Sequence, residues 1–293
     1  MKAACRLALA LTLAGVGCGE SEPAGRSDRL VDLGKRPPLV NALERDPRTG
    51  EFLLTTNRGF FRIDAQRDRV RRVRGTVEAR GKRARIGTFL ELDQGPDGEL
   101  VGSGHPDERV LPQFLGYLRS DDGGRRWRVV SRLGNADLHK IVFKHARLYA
   151  WDAVLSALII SEDGGRSFSE HFTPRGLIID FEVDPDDPEH VLAATDETLF
   201  RSEDGGDSWR PLLRGEGSRL AWPESDRLYL AAKNGTVSLS EDGGDRFREV
   251  GRVDGEPYVL DPVSGNELNL ALSDATILRT TNGGTDWEEE FRP

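Results

Sequence analysis

The sequence predicts an all-β, six-bladed β-propeller on three observations: a decapeptide that recurs five times, a near-constant interval between copies, and four short strands per interval. The copies are "RSDDGGRRWR" from Arg119, "SEDGGRSFSE" from Ser161, "RSEDGGDSWR" from Arg201, "SEDGGDRFRE" from Ser240 and "RTTNGGTDWE" from Arg279. Their first Ser or Thr residues fall at 120, 161, 202, 240 and 280, so the steps are 41, 41, 38 and 40 residues. A period near ~40 residues built of short strands is one blade, a four-stranded sheet that cannot bury both faces alone.

Ahead of the array, "MKAACRLALALTLAGVGCGE" sets Lys2 and Arg6 before an apolar run from Leu7 to Val16 and small residues before Cys18. That order is an export signal, too short to persist as a membrane-spanning helix. Its end resembles a bacterial lipobox, which implies cleavage before Cys18 and lipid on that cysteine; plain secretion is the alternative. The expected organisation is a signal over 1–18, a polar tether over 19–36 and a propeller over 37–293. Cys5 leaves with the signal and Cys18 carries lipid, so the body offers no thiol for a disulfide, a zinc site or a nucleophile. A net charge of −9 gives no basic footprint for nucleic acid. The expectation is a monomer of the bacterial cell envelope, without cofactor or metal, touching the membrane only through its anchor and meeting an extracytoplasmic protein or glycan.

The blades read off in order. "LVNALERDP" and "FLLTTNRGFFRID" supply strands A, B and C of the first, and "VRRVR" supplies D without a box. The second, "GTFLELD", "ELVGSG" and "FLGYLRS", ends in the box at Ser120 and is expected to carry an insertion rather than an extra blade. The repeat from Leu177 is the clearest: "LIIDFEVDP", "HVLAAT", "TLFRS", the DGG turn and "WRPLL". Each run is rich in β-branched or aromatic residues and bounded by turn formers. The same order recurs from Ala136, Gly217 and Pro257. Asp-Pro closes strand A at Asp46, Asp184 and Asp261, where proline starts a turn but cannot continue a ladder.

The boxes themselves are expected to be turns. Paired glycines, ending in Gly124, Gly165, Gly206, Gly244 and Gly284, permit positive φ, and the acid or amide at Asp122, Asp163, Asp204, Asp242 and Asn282 accepts from nearby N–H groups. Ser120, Ser161, Ser202, Ser240 and Thr280 open the turns, and Trp127, Phe168, Trp209, Phe247 and Trp287 fill one packing slot against the next blade.

This S-x-D-G-G-x-x-W/F string resembles the BNR or Asp-box repeat of sialidases and other exported propellers, clearly over 120–287 and faintly back to about residue 38. "GSGHPDERVLPQFLGYLRSDDGGRRW" and "ADLHKIVFKHARLYAWD" resemble an exported bacterial family commonly labelled glycosyl hydrolase. The resemblance implies the fold and, as an alternative function, a sialidase-like glycoside hydrolase. Asn41 and Asn57 stand where such relatives often have histidines. The F-R-I-P motif of sialidases has a counterpart in "FFRID", but Phe61-Arg62 occupies the position of Phe200-Arg201 and so reads as a repeated strand C.

Propeller turns divide between two faces, C–D with A–B and B–C with D–A, and ligand sites usually occupy the second. That geometry takes the box aspartates off the catalytic shortlist. On the second face, the long B–C loop 104–114 brings His105, Asp107, Glu108 and Arg109. The D–A connection 74–87 belongs to a basic run that includes Arg80, Lys82, Arg83 and Arg85, suited to an anionic glycan, a lipid headgroup or an acidic partner. His139, aligned with Asp180 of the next blade, is expected to look into the central channel near His105. Asp107, Asp137, Asp180 and Glu216 are among the acids that would serve glycoside cleavage, and no particular pair is singled out.

Overall fold

Short alternating apolar runs form sheets, each from consecutive strands paired antiparallel apart from one parallel pairing described below. The computed structural model describes residues 38–107, 109–214 and 217–293. The export signal, Cys18, the tether, Glu108 and Glu216 lie outside the described residues. The first blade is β1 (Val40–Arg45), β2 (Phe52–Thr56), β3 (Gly59–Asp64) and β4 (Arg69–Val73). After the irregular second unit come β10 (Leu138–Lys144) to β13 (Ser169–His171), β14 (Ile178–Val183) to β17 (Arg210–Arg214), β18 (Arg219–Glu224) to β21 (Arg248–Arg252), and β22 (Pro257–Pro262) to β25 (Glu288–Phe291).

The all-β propeller arrangement is present, but it has five four-stranded blades rather than six. In place of another blade stands a closed unit of five strands: β5 (Thr76–Ala79), β6 (Lys82–Gln94), β7 (Leu100–Pro106), β8 (Tyr117–Ser120) and β9 (Arg126–Ser131). The segment 74–87, expected as a loop, causes this. It folds into a hairpin with Arg80 and Gly81 at positive φ, which extends β6 to 13 residues and sets β5 in parallel register with β9, Val77 opposite Trp127. A strand hydrogen-bonded to both ends of the unit removes the open edge that a fourth blade strand would leave.

The first strand of each blade and β6 of the closed unit face the axis, and β1, β6, β10, β14, β18 and β22 contact one another in that order around a ring. Apolar clusters fill the gaps between units. One joins Leu43, Phe61 and Ile63 of the first blade to Ala271, Ile277 and Phe291 of the last, so the two ends of the described chain meet by side-chain packing, helped by Arg45 on Glu267 at 3.1 Å.

The five box turns share one hydrogen-bond scheme. Ser202 Oγ donates to Asp204 Oδ1 at 2.8 Å and accepts from the Gly206 N–H, and Ser208 N–H donates back to Asp204. The same Ser-to-acid and Gly-to-Ser bonds recur at Ser120, Ser161 and Ser240, with Thr280 and Asn282 taking these places in the last turn. Gly165 shows why the second glycine is required: φ is +83° and a Cβ would lie 2.2 Å from the Tyr117 ring. Box turns touch A–B loops, as in Gly205 N–H to Glu189 O and Gly283 N–H to Asn266 O. B–C turns touch D–A loops, as in Val253 N–H to Gly235 O and Thr173 Oγ1 to Ser156 O. The two-face division expected from the sequence therefore holds.

Candidate functional site

Five of the six inner strands carry a bulge near the end that faces the B–C and D–A loops. Their registers skip Asn41 in β1, Leu90 (with Gly87) in β6, His139 in β10, Ile179 in β14 and Tyr258 in β22. A bulged residue has no partner across the ladder and re-aims its side chain. All five line one central cavity of about 610 Å³, whose mouth is apolar and aromatic at Leu90, Ile179 and Tyr258 and polar at Asn41 and His139. At this mouth the Arg219 guanidinium lies over the Tyr258 ring, 4.8 Å from its centre, and donates to Ile179 O at 2.8 Å. Arg219 is the one arginine among the described lining residues, an arrangement unlike the three converging arginines that sialidase chemistry uses.

Below the mouth the bulges put equivalent residues in register. Glu91, Lys140 and Asp180 share the first tier, each the first paired residue after its bulge. Glu44, Asp93, Glu182 and Asp261 share the next, two residues on. On the β10–β14 side the charges are paired: Lys140 Nζ is 3.3 Å from Asp180, and Lys144 Nζ is 3.1 Å from Glu182 and donates to Val183 O and Trp222 O. On the β22–β1–β6 side Glu44, Glu91, Asp93 and Asp261 have no cation within 4.0 Å among the described residues.

Electrostatics follows this division. Burial pushes Asp93 up to about 6 and Asp261 up to about 7, Asp261 also feeling the charge of Asp93 against a hydrogen bond from Asn269. Burial and the neighbouring acids carry Glu44 and Glu91 well above the ordinary glutamate range. Burial alone would lower Lys140, but Asp180, Glu182, Glu91 and Asp93 outweigh it and hold the ammonium charged.

The sequence-chosen residues divide between two places. His139 and Asp180 line the cavity, but they are not aligned: the bulge puts Ile179 level with His139 and Lys140 level with Asp180. Asp180 is spent on Lys140, on the Phe181 N–H and, across the blade gap, on the Leu220 N–H at 3.0 Å. His105 and His139 do come together, on opposite oxygens of Asp137 at 3.0 and 3.4 Å. Burial works upward on Asp137, but these two hydrogen bonds prevail and bring it down to about 2. Among the described residues no group of three or more His, Cys, Asp or Glu is placed to hold a metal ion.

Asp107 lies 3.9 Å from Arg85 and Arg83 pairs with Glu78, while Arg80, Lys82 and Arg109 are exposed. None of His105, Asp107, Arg109, Asp137 or the basic hairpin lines the cavity. Arg62 is a buried strand residue held by Asp46 and by Glu51 at 2.7 Å, as Arg201 is by Asp245 at 2.6 Å, so the repeated-strand reading of "FFRID" fits its position. Glu44, Glu91, Asp93, Lys140, Lys144, Glu182 and Asp261 escaped the sequence reading. The acid pairs two apart in "LELD" and "DFEVD" carried the signal, hidden by a bulge that no periodicity shows.

No family model matches the chain. The dispase autolysis-inducing protein of Streptomyces mobaraensis is 30% identical over 114 residues, which is 39% of this chain and 30% of that protein's length. Among solved structures, the WD40 β-propeller domain of Doa1 superposes with a TM-score of 0.59 at 10% identity, covering 87% of this chain and 82% of that one. The extracellular domain of a putative hybrid two-component system from B. thetaiotaomicron gives 0.54 at 12% identity, covering 88% of this chain and a third of the other, 33%. PorZ, a bacterial surface component of the type-IX secretion system of Porphyromonas gingivalis, gives 0.53 at 13%, covering 87% and 32%. At these identities the likeness is one of architecture, and the chain is a β-propeller protein.

Proposed function

We propose that this chain is an exported binding or assembly module of the bacterial cell envelope, of the BNR or Asp-box class and anchored through lipid on Cys18. It engages its partner through the face made by the B–C and D–A loops. The observation that carries the reading is where apolar side chains are left in water. Of eight large exposed hydrophobics among the described residues, six, including Phe172 at 76%, Leu177, Val154 and Leu155, sit on that face. Thr173 Oγ1 on Ser156 O ties the loop of Phe172 to the loop of Val154 and Leu155, so they form one patch. Apolar area of this kind on one face marks an interaction surface. Two neighbours of the same architecture, an extracellular domain and a secretion-system surface component, support an exported setting.

A panel of aryl glycosides offered to the purified full chain tests this reading against a hydrolase. The expected result is no turnover above the blank. Turnover that is lost in Asp107→Asn, Asp137→Asn or Asp180→Asn would overturn the module reading.

A further inference from the structure

Among the described residues, Glu44 and Glu91 of the unpaired wall are offset only at a distance, by Lys140, which is itself held by Asp180. Glu91 is 6% exposed and lines the cavity, yet among the described residues its side chain accepts one hydrogen bond, from the adjacent Leu92 N–H at 3.3 Å. Glu44 lines the same wall and has no hydrogen bond or ion pair at all among the described residues. A buried carboxylate with a single long hydrogen bond is costly to ionise, and a bound cation at Glu91 would relieve that cost.

The shape of the wall selects the cation. Among the described residues no three acids are placed to share one metal ion. The two tiers are separated instead by two residues of strand, roughly 6–7 Å, and Val142 and Val259 line the cavity with them. Two anionic levels at that spacing, with Val259 beside the first and Val142 beside the second, match an alkane chain of four or five carbons with an ammonium at each end. Trp151 also lines the cavity and adds aromatic surface for a cation, the Tyr258 ring being already covered by the Arg219 guanidinium.

We propose that the central cavity binds a linear organic diammonium ion, one ammonium on Glu91 and the other among Glu44, Asp93 and Asp261. This rests on the reading of the loop-rich face as a binding surface and deepens it, because Leu177 of that face lines the cavity. The raised carboxyls must lose protons as the ligand enters, so affinity rises with pH and protons are released.

Isothermal titration of the full chain with 1,4-diaminobutane tests it. At pH 8 a saturable heat is expected, with proton release shown by its dependence on buffer ionisation enthalpy, and affinity about tenfold weaker at pH 5.5. Glu91→Gln and Glu44→Gln should each weaken binding at least tenfold. Glu44 is only half-buried, so its variant decides the matter should Glu91→Gln fail to fold. No saturable heat at millimolar diamine, variants that bind like the parent, or 1-aminobutane or Ca²⁺ binding as tightly would overturn the proposal. Glycoside turnover would sink the module reading and leave these heats untouched, so the two failures are distinguishable.

Discussion

Replacing Trp127 by alanine is expected to lower stability by about 3–5 kcal/mol, read as a shift in the urea unfolding midpoint. Trp127 is 2% exposed and packs on Phe89 with ring centres 5.3 Å apart, within a cluster that includes Phe60 of the first blade and Val77 of β5. Its indole N–H is bonded to Gly124 O at 2.8 Å, so the substitution removes packing between two units and a donor inside the turn. The loss is largest here because β5 covers the indole as part of the closed unit. Phe247 occupies the corresponding slot but is only partly buried against Leu192 and Leu228, and Phe247→Ala should cost less than half as much. Equal costs at the two positions would mean that the closed unit adds no burial.

Stability should fall between pH 5 and pH 8, the opposite of the usual behaviour of a protein held by paired acids. Asp93 and Asp261 have folded values of about 6 and about 7, above the ordinary aspartate value. Between the unfolded and folded values the native state holds more protons than the unfolded chain, so stability declines as pH rises through that window. Asp137 acts on the other limb: its folded value of about 2 lies below the unfolded one, so its contribution is present above about pH 4 and lost toward pH 2. The optimum is thus expected between about pH 4 and 5.5.

Asp93→Asn and Asp261→Asn remove the charge but keep the shape, and the amide oxygens still accept from Gln94 N–H and Asn269 Nδ2. Because Asp93 faces a cavity that admits water, the gain is discounted to about 1–3 kcal/mol per variant at pH 8, vanishing at pH 4. Thermal melts across this range check it. Melting temperatures that rise steadily to pH 8 in the parent, or variants less stable than the parent at pH 8, would show that these acids are ionised without cost.

What could be read from the sequence was whatever repeats. The five boxes gave the turns, the division of faces and the packing slot of Trp127, because Ser, Asp and paired glycines act within one decapeptide. Two features were opaque for a shared reason: each depends on hydrogen bonds between segments distant in sequence. The hairpin 76–94 has no signal that β5 will pair in parallel with β9 across some fifty residues, so the closed unit was expected as a blade. The bulges shift each inner strand by one residue, which is why His139 was matched to Asp180 and why Lys140 was overlooked. Asp261 shows the same effect. Its Asp-Pro looked like Asp46-Pro47 and Asp184-Pro185, but those acids follow their strands, whereas Asp261 is level with Glu44 and Glu182 inside the cavity. The exposed Phe172 and Leu177 gave no warning, because an apolar residue in a loop is indistinguishable from a buried one until the neighbours are known.

Site-specific photo-crosslinking in the producing cell distinguishes partners met on the loop-rich face from partners met at the boxes. A benzophenone side chain at position 172 samples the patch, and one at position 263, where Val263 is 44% exposed at an A–B turn, samples the opposite face. A discrete adduct is expected from position 172, lost in Leu177→Ser, and none from position 263. A discrete adduct from position 263 alone, or the same adducts from both, would contradict a partner site on the loop-rich face.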